Sequence, residues 1–175
     1  MPKTENTEQT ICVNCGFCCD GTLFNHAITE DNSHPLIDIE IRDGDKNRFK
    51  LPCHLFKNGC CSIYDQPRPN ICGDFKCKQL HLLNRNHINV EEVLSKIEKV
   101  KALKQEIVDG IAPYIKSNNG SIKENFALFK ANQLERLNEK EFNKSFAPLL
   151  VKHQLLLQYL KVHFHKGSKK KAAEQ

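Results

Sequence analysis

The 175-residue chain has no long hydrophobic run: its near-apolar stretches last only a few residues, far short of the ~20 that a helix needs to cross a bilayer. A helical membrane protein is therefore not expected. Met1 to Thr10 is polar and lacks the apolar segment of a secretory signal. Together these two absences set the expectation of a cytoplasmic protein. Catalytic signatures are missing as well. There is no Gly-rich phosphate loop, no Ser/His/Asp signature and no H-E-x-x-H, so no catalytic residue is assigned. The C-x3-C-x2-C spacing of radical enzymes is also absent. Charge of one sign is scarce: the formal net charge is +5, and Lys166, Lys169, Lys170 and Lys171 supply most of it. The body of the chain is thus close to neutral, without the clustered basic face of a dedicated nucleic-acid binder.

Cysteine is absent from Lys78 onward, yet the chain holds nine, all between Cys12 and Cys77. In a reduced compartment so many thiols point to metal and away from disulfides, and an odd count fits poorly with full pairing. The same half carries most of the turn chemistry, including Gly16, Gly21, Pro52, Gly59, Pro67, Pro69 and Gly73. It has few large apolar residues, and a segment below about 80 residues usually needs staples to fold. A thiolate-bound metal contributes on the order of 10 kcal/mol to such a fold.

The first cluster reads Cys12-Val-Asn-Cys15-Gly-Phe-Cys18-Cys19. Two-residue gaps let successive thiolates turn back on one ion with backbone amides facing the sulfurs, and Gly16 permits the tight turn. Further donors follow at Cys53, the Cys60–Cys61 pair, Cys72 and Cys77. A tetrahedral zinc site takes four ligands, and an iron–sulfur cluster draws on the same thiolates. Either two ions are bound, or one cluster with spare thiols. The ferredoxin run C-x2-C-x2-C-x3-C-P is not completed, because Thr22-Leu23 stand where its last Cys-Pro would fall. His54, beside Cys53, is an extra donor or a surface residue; His26, His34, His81 and His87 read as surface. His163 and His165 are not at the i, i+4 spacing that faces one ion, and His153 lies on the last helix.

Secondary structure divides the same way. Ile37, Ile39 and Ile41 alternate with polar residues, which predicts a strand over Leu36–Arg42, with a second short strand through Ser62–Tyr64. From Val90 to Ile115 apolar residues recur at helical spacing behind Asn89 as N-cap. Ser121 with Glu124 forms a capping box that opens a helix through Phe126, Phe129, Leu134 and Leu137. A third helix is expected from about Ala147 to Phe164, with Pro148 in its first turn. The expected architecture is α+β: a small, irregular, metal-stapled Cys-rich region with short strands, then a C-terminal half of about three helices. The corresponding segments are a disordered N-terminus at 1–11, a metal-binding domain at 12–85, a helical region at 88–165 and a disordered basic tail at 166–175.

Four separated motifs in order carry a family resemblance. They are Cys12-x2-Cys15-Gly-x-Cys18-Cys19, Pro52-Cys53, Gly59-x-Cys61-Ser-Ile63-Tyr64, and Arg68-Pro69-x2-Cys72-x2-Phe75-x-Cys77. Over residues 12–77 the chain resembles the CxxCxxCC cysteine-cluster family, described as a zinc- or iron-chelating domain. The resemblance implies that Cys12, Cys15, Cys18, Cys19, Cys53, Cys61 and Cys72 are metal ligands, with Cys77 an additional downstream donor and Cys60 left over. Two positions depart from the family pattern. Tyr64 and Arg68 are three residues apart where two are usual, and Gly73 stands where arginine is common. The flagellin lysine methylases are similar over the cysteine region, but nothing in residues 78–175 resembles an added catalytic domain. The leading expectation is a non-catalytic metal-binding module, zinc or iron–sulfur, that offers its helices to a protein partner. An iron–sulfur redox protein or sensor is the alternative, and a zinc-dependent nucleic-acid binder the second alternative.

Overall fold

A computed structural model describes residues 7–42 and 46–165. Its helical part is built on three long helices: α4 (Val90–Ile111), α5 (Ile122–Leu134) and α6 (Glu139–His163). Each begins with a capping box, in which the side chain at the N-cap accepts from the backbone three residues on and the glutamate there reaches back. The pairs are Asn89–Glu92, Ser121–Glu124 and Asn138–Glu141. These reciprocal bonds satisfy orphan amides and place carboxylates against the positive end of each helix dipole. Pro113 ends the regular helix early, and Ala112–Tyr114 turns as a single 3-10 turn, so α4 stops at Ile111 and does not reach Ile115. The last helix starts eight residues before the expected Ala147 because Asn138 caps it; a break at Phe146 (φ −115°, ψ 15°) then accommodates Pro148.

The N-terminal part is α+β with very short elements. Helix α1 (Thr7–Cys15) begins inside the segment expected to be disordered, and the expected basic tail at 166–175 lies outside the described residues. Strands β1 (His26–Thr29) and β2 (Asn47–Lys50) pair antiparallel, His26 opposite Lys50 and Thr29 opposite Asn47. Strands β3 (Phe56–Lys57) and β4 (Cys60–Cys61) form a second hairpin around Asn58 and Gly59, both at positive φ. Helices α2 (Asn70–Asp74) and α3 (Lys78–Asn84) follow.

Neither strand read from the sequence forms. In Leu36–Arg42 only Glu40 makes an isolated bridge, to Arg48, and Ile41 is 59% exposed. Alternation there buries Ile37 beneath the sheet without recruiting a ladder, since a turn bonds Ile37 N–H to His34 C=O. Ser62–Tyr64 turns after β4 instead of extending it.

The main core crosses the expected boundary between the halves. Ile11, Phe17, Leu23 and Leu80 from the Cys-rich part are buried with Val93, Ile97, Val100, Ile107 and Ile111 of α4 and with Leu156, Leu160 and Phe164. Burial of this order, at about 25 cal/mol per Å² of apolar surface, is what holds the two halves together. A second, smaller cluster of Ile37, Phe49, Leu51 and Ile63 lies under the sheet. Among the described residues no helix is long and apolar enough to cross a membrane.

Candidate metal centre

The cysteines reach their places through local chemistry. Cys12 and Cys15 stand on α1, whose end is closed by Gly16 N–H donating to Cys12 C=O (3.0 Å). Gly16 sits at φ +69°, the left-handed conformation that favours glycine, and a Cβ there would fall 2.5 Å from the Phe56 ring. Next, Phe17 is buried edge-on against Phe164, with ring centroids 5.4 Å apart. That contact pins the loop between Cys15 and Cys18. Cys77 is the residue preceding α3, and Lys78 N–H donates to Phe164 C=O (3.1 Å), so α3 caps the carbonyl end of α6 and holds Cys77 against the helical core.

The remaining donors stand on shorter pieces of chain. Cys53 N–H donates to Cys19 C=O (2.8 Å), which ties two distant cysteines together through the backbone. Cys61 lies opposite Phe56 in the second hairpin. Cys72 rides on α2, whose first residue is anchored by Asp31: Asn70 N–H donates to Oδ2 (2.9 Å) and its side-chain amide to Oδ1 (3.2 Å).

All nine cysteines line one cavity of about 530 Å³, otherwise walled mainly by apolar side chains from α1, the sheet, α4 and Phe164. None of the nine is in a disulfide. Within the cavity the thiols separate into two quartets. Cys15, Cys18 and Cys77 pack against the main core, whereas Cys53 and Cys61 pack against the small cluster under the sheet. Electrostatic neighbours follow the same grouping except that Cys19 also acts on Cys18 and so links the two sets. Burial first, then Cys77 and Glu8, raise the Cys12 thiol to about 11; burial lifts Cys15 above the usual range, with Cys77 and Cys12 adding to it. Cys18 is pushed well up by burial, then by Cys15, Cys19, Cys77 and Cys12. Cys19, in contrast, is raised to about 12 by burial and then by Cys72, Cys53 and Cys61. Burial takes Cys72 to about 11, with Cys53 and Cys61 contributing, and Cys53 in turn is raised by burial and by Cys61.

The first quartet is therefore Cys12, Cys15, Cys18 and Cys77; the second is Cys19, Cys53, Cys61 and Cys72. Neighbouring residues Cys18 and Cys19 serve different quartets. Cys60 is exposed and belongs to neither. The thiols are gathered but not closed: among the described residues no group of three or more Cys, His, Asp or Glu side chains has the geometry to hold a metal ion. Convergence on a cavity and closure on an ion are different conditions, and only the first is met.

Several neighbours fit thiolate chemistry. Backbone N–H groups of Phe17 face the Cys15 sulfur, and those of Leu55 and Phe56 face Cys53, each favouring the thiolate. Arg68 stacks on the Tyr64 ring (4.2 Å), lines the cavity and opposes the raised pKa of both Cys12 and Cys72. Lys76 also favours the Cys12 thiolate while paired with Glu8 (2.8 Å), and Asp20, next to Cys19, is paired with Lys104 of α4 (2.8 Å). Arg68 and Tyr64 were visible in the motif, but Asp31 and Lys104 carry no sequence signal that marks them. Of the histidines, His153 stacks flat on Phe126 (3.6 Å) and His165 packs edge-on to Phe24; neither lines the cysteine cavity.

No family model matches the chain, and no match was found among the curated proteins or the solved structures. The likeness to the CxxCxxCC family therefore stands on the quoted residues alone.

Proposed function

We propose that the protein binds metal through two four-thiolate centres, Cys12–Cys15–Cys18–Cys77 and Cys19–Cys53–Cys61–Cys72, as a non-catalytic cysteine-cluster module. The observation that carries this reading is the return of nine cysteines, from α1, three loops or hairpins, α2 and the start of α3, to the lining of one cavity. Buried neutral thiols packed as small hydrophobes would not need to collect in one place. Four thiolates per site is the donor set of structural zinc and of iron–sulfur clusters, and the amides facing Cys15 and Cys53 suit either. Binding has to displace the thiol protons and draw the sulfurs inward, a coupling usual for thiolate sites.

The resemblance of residues 12–77 to the CxxCxxCC family supports the same reading, and a reducing, cytoplasmic setting is proposed with it. A protein partner is proposed for the helical half. There Val151, Leu155 and Val162 form an exposed apolar stripe on α6. Nucleic acid is not proposed, since outside its basic tail the chain is close to neutral in formal charge.

Elemental analysis and a visible spectrum of protein purified without oxygen test the proposal. About two zinc per chain without colour supports two closed zinc sites. Protein that carries no metal, and takes up none on reconstitution, overturns the proposal. An iron–sulfur protein is the second reading, because the same cysteine-lined cavity supplies the thiolate donors that iron–sulfur clusters use. Iron, sulfide and a brown chromophore would select it.

A further inference from the structure

A groove between α5 and α6 shares none of its lining residues with the cysteine cavity. Its volume is about 530 Å³, within the range of pockets that hold small organic molecules. One wall is a single face of α5, where Lys123, Ala127 and Lys130 recur at helical spacing beside buried Phe126. The other wall is Leu150, Val151 and Gln154 of α6, and Val151 is 58% exposed. His153 joins the two walls, stacked flat on Phe126. Charge in the groove has one sign. Neither lysine makes a hydrogen bond or ion pair with a described residue, and no carboxylate lines the groove. His153 Nε2 is buried with no hydrogen-bond partner among the described residues, and burial, then Lys123, lower its pKa to about 4. The ring is therefore neutral at pH 7, beside an ammonium group that no anion offsets. Unpaired ammonium groups, open apolar surface and an orphaned ring nitrogen meet in one place, and each of the three is costly to leave unmatched.

We propose that the α5–α6 groove binds a small organic anion with a flat apolar body and a carboxylate head. The body lies over Ala127, against Leu150 and Val151. The head is held by Lys123 and Lys130, which stand about one turn to either side of Ala127 and carry their charge on flexible stems. The Gln154 amide is a neutral donor on the opposite wall. Ala127 is the residue that leaves room, since a longer side chain there would fill the space between the two lysines. Nothing in this site depends on the thiols or on the metal reading.

Calorimetric titration of the full chain, purified without oxygen, with 2-naphthoate tests the proposal, and 2-naphthamide serves as the neutral probe of the same shape. The amide is expected to bind at least about tenfold more weakly than the carboxylate. Lys123→Gln and Lys130→Gln should each weaken naphthoate about threefold to fivefold and leave the amide unchanged. Ala127→Leu, at an exposed position, should abolish binding of naphthoate although both lysines remain. In NMR spectra the ring signals of His153 should move with naphthoate, while those of His26 on β1 stay. Equal affinity for naphthoate and its amide overturns the proposal. Binding that survives Ala127→Leu, or that leaves the His153 ring unmoved, also overturns it, because the probe would then sit in the cysteine cavity or on diffuse surface charge. Absence of naphthoate binding at millimolar concentration overturns it as well.

Discussion

Individual residues set the geometry of the cysteine loop, and two glycines do so through backbone conformation. Gly21 is at φ +74°, and a Cβ there would lie 2.9 Å from Ser121 Cβ and 3.0 Å from its Cα. Because the second of those atoms is backbone, no rotamer change relieves the clash. Gly21→Ala is expected to destabilise the protein by roughly 2 kcal/mol, from the left-handed penalty and the contact together, measured by denaturant unfolding of the metal-free chain. A change within a few tenths of a kcal/mol would mean that the loop swings away from α5. A different kind of strain sits at His153. Its ring is stacked on Phe126, its Nε2 is buried with no hydrogen-bond partner among the described residues, and burial, then Lys123, lowers its pKa to about 4. The unfolded chain, with an ordinary histidine near 6.5, takes up the proton first as pH falls. Stability is therefore full above about pH 6.5 and is lost progressively towards pH 4, by about 1–2 kcal/mol after allowance for solvent screening. His163 and His165, also lowered mainly by burial, act in the same direction. His153→Phe should flatten the midpoint-against-pH curve in this window; an unchanged curve would remove His153 as its source.

At the scale of elements, the three capping boxes are not equivalent, and the difference predicts their costs. Asn89 caps α4 at the surface, whereas Ser121 is buried at the start of α5 and its hydroxyl also donates to Asn25 Oδ1 (3.0 Å) in the Cys-rich part. Asn89→Ala should cost about 1 kcal/mol, the usual value of an N-cap. Ser121→Ala should cost about twice that, since it also leaves the part-buried Asn25 Oδ1 without its donor. Equal losses in thermal unfolding would mean that the Asn25 bond contributes nothing. These helices were legible in the sequence because cap and apolar period agree, at Asn89 with Val93 and Ile97, and at Ser121 with Phe126 and Phe129. The N-cap of α6 was missed although Asn138 and Glu141 have the same form, because Pro148 drew the start of that helix forward. Helix α1 was invisible for a different reason: it buries only Ile11, so packing on α4 supports it and no apolar stripe announces it. The cysteines that gather were legible from spacing and from the family resemblance. Their grouping was not, because it depends on tertiary features such as the turn at Gly16 and the Cys19–Cys53 backbone bond.

For the whole molecule, the decisive fact is that one large core and one small cluster share a single cavity wall. The sheet and the second hairpin bury only Ile37, Phe49, Leu51 and Ile63, too little apolar surface to fix such short strands without help. The α4–α6 core is larger: Phe126, Phe129 and Phe142 are in ring contact with one another, and Phe164 packs on Phe17 of the cysteine loop. On the proposed metal reading, stability supplied by metal should therefore be unevenly spread. Removal of metal by a chelator is expected to leave α4, α5 and α6 folded, while residues 47–75 lose their protection. Hydrogen exchange read peptide by peptide before and after chelation measures this. Amides of α4 should keep exchange rates within about tenfold of the loaded protein, whereas those of β2 and β4 should approach the rates of open chain. Helix α1 and the start of α3 should respond in between, since they carry Cys12, Cys15 and Cys77 yet pack on or dock to the long helices. Uniform acceleration across all helices would show instead that the molecule unfolds as one unit when its metal leaves. The thiolate centres would then hold the helical core as well as the cysteine loop.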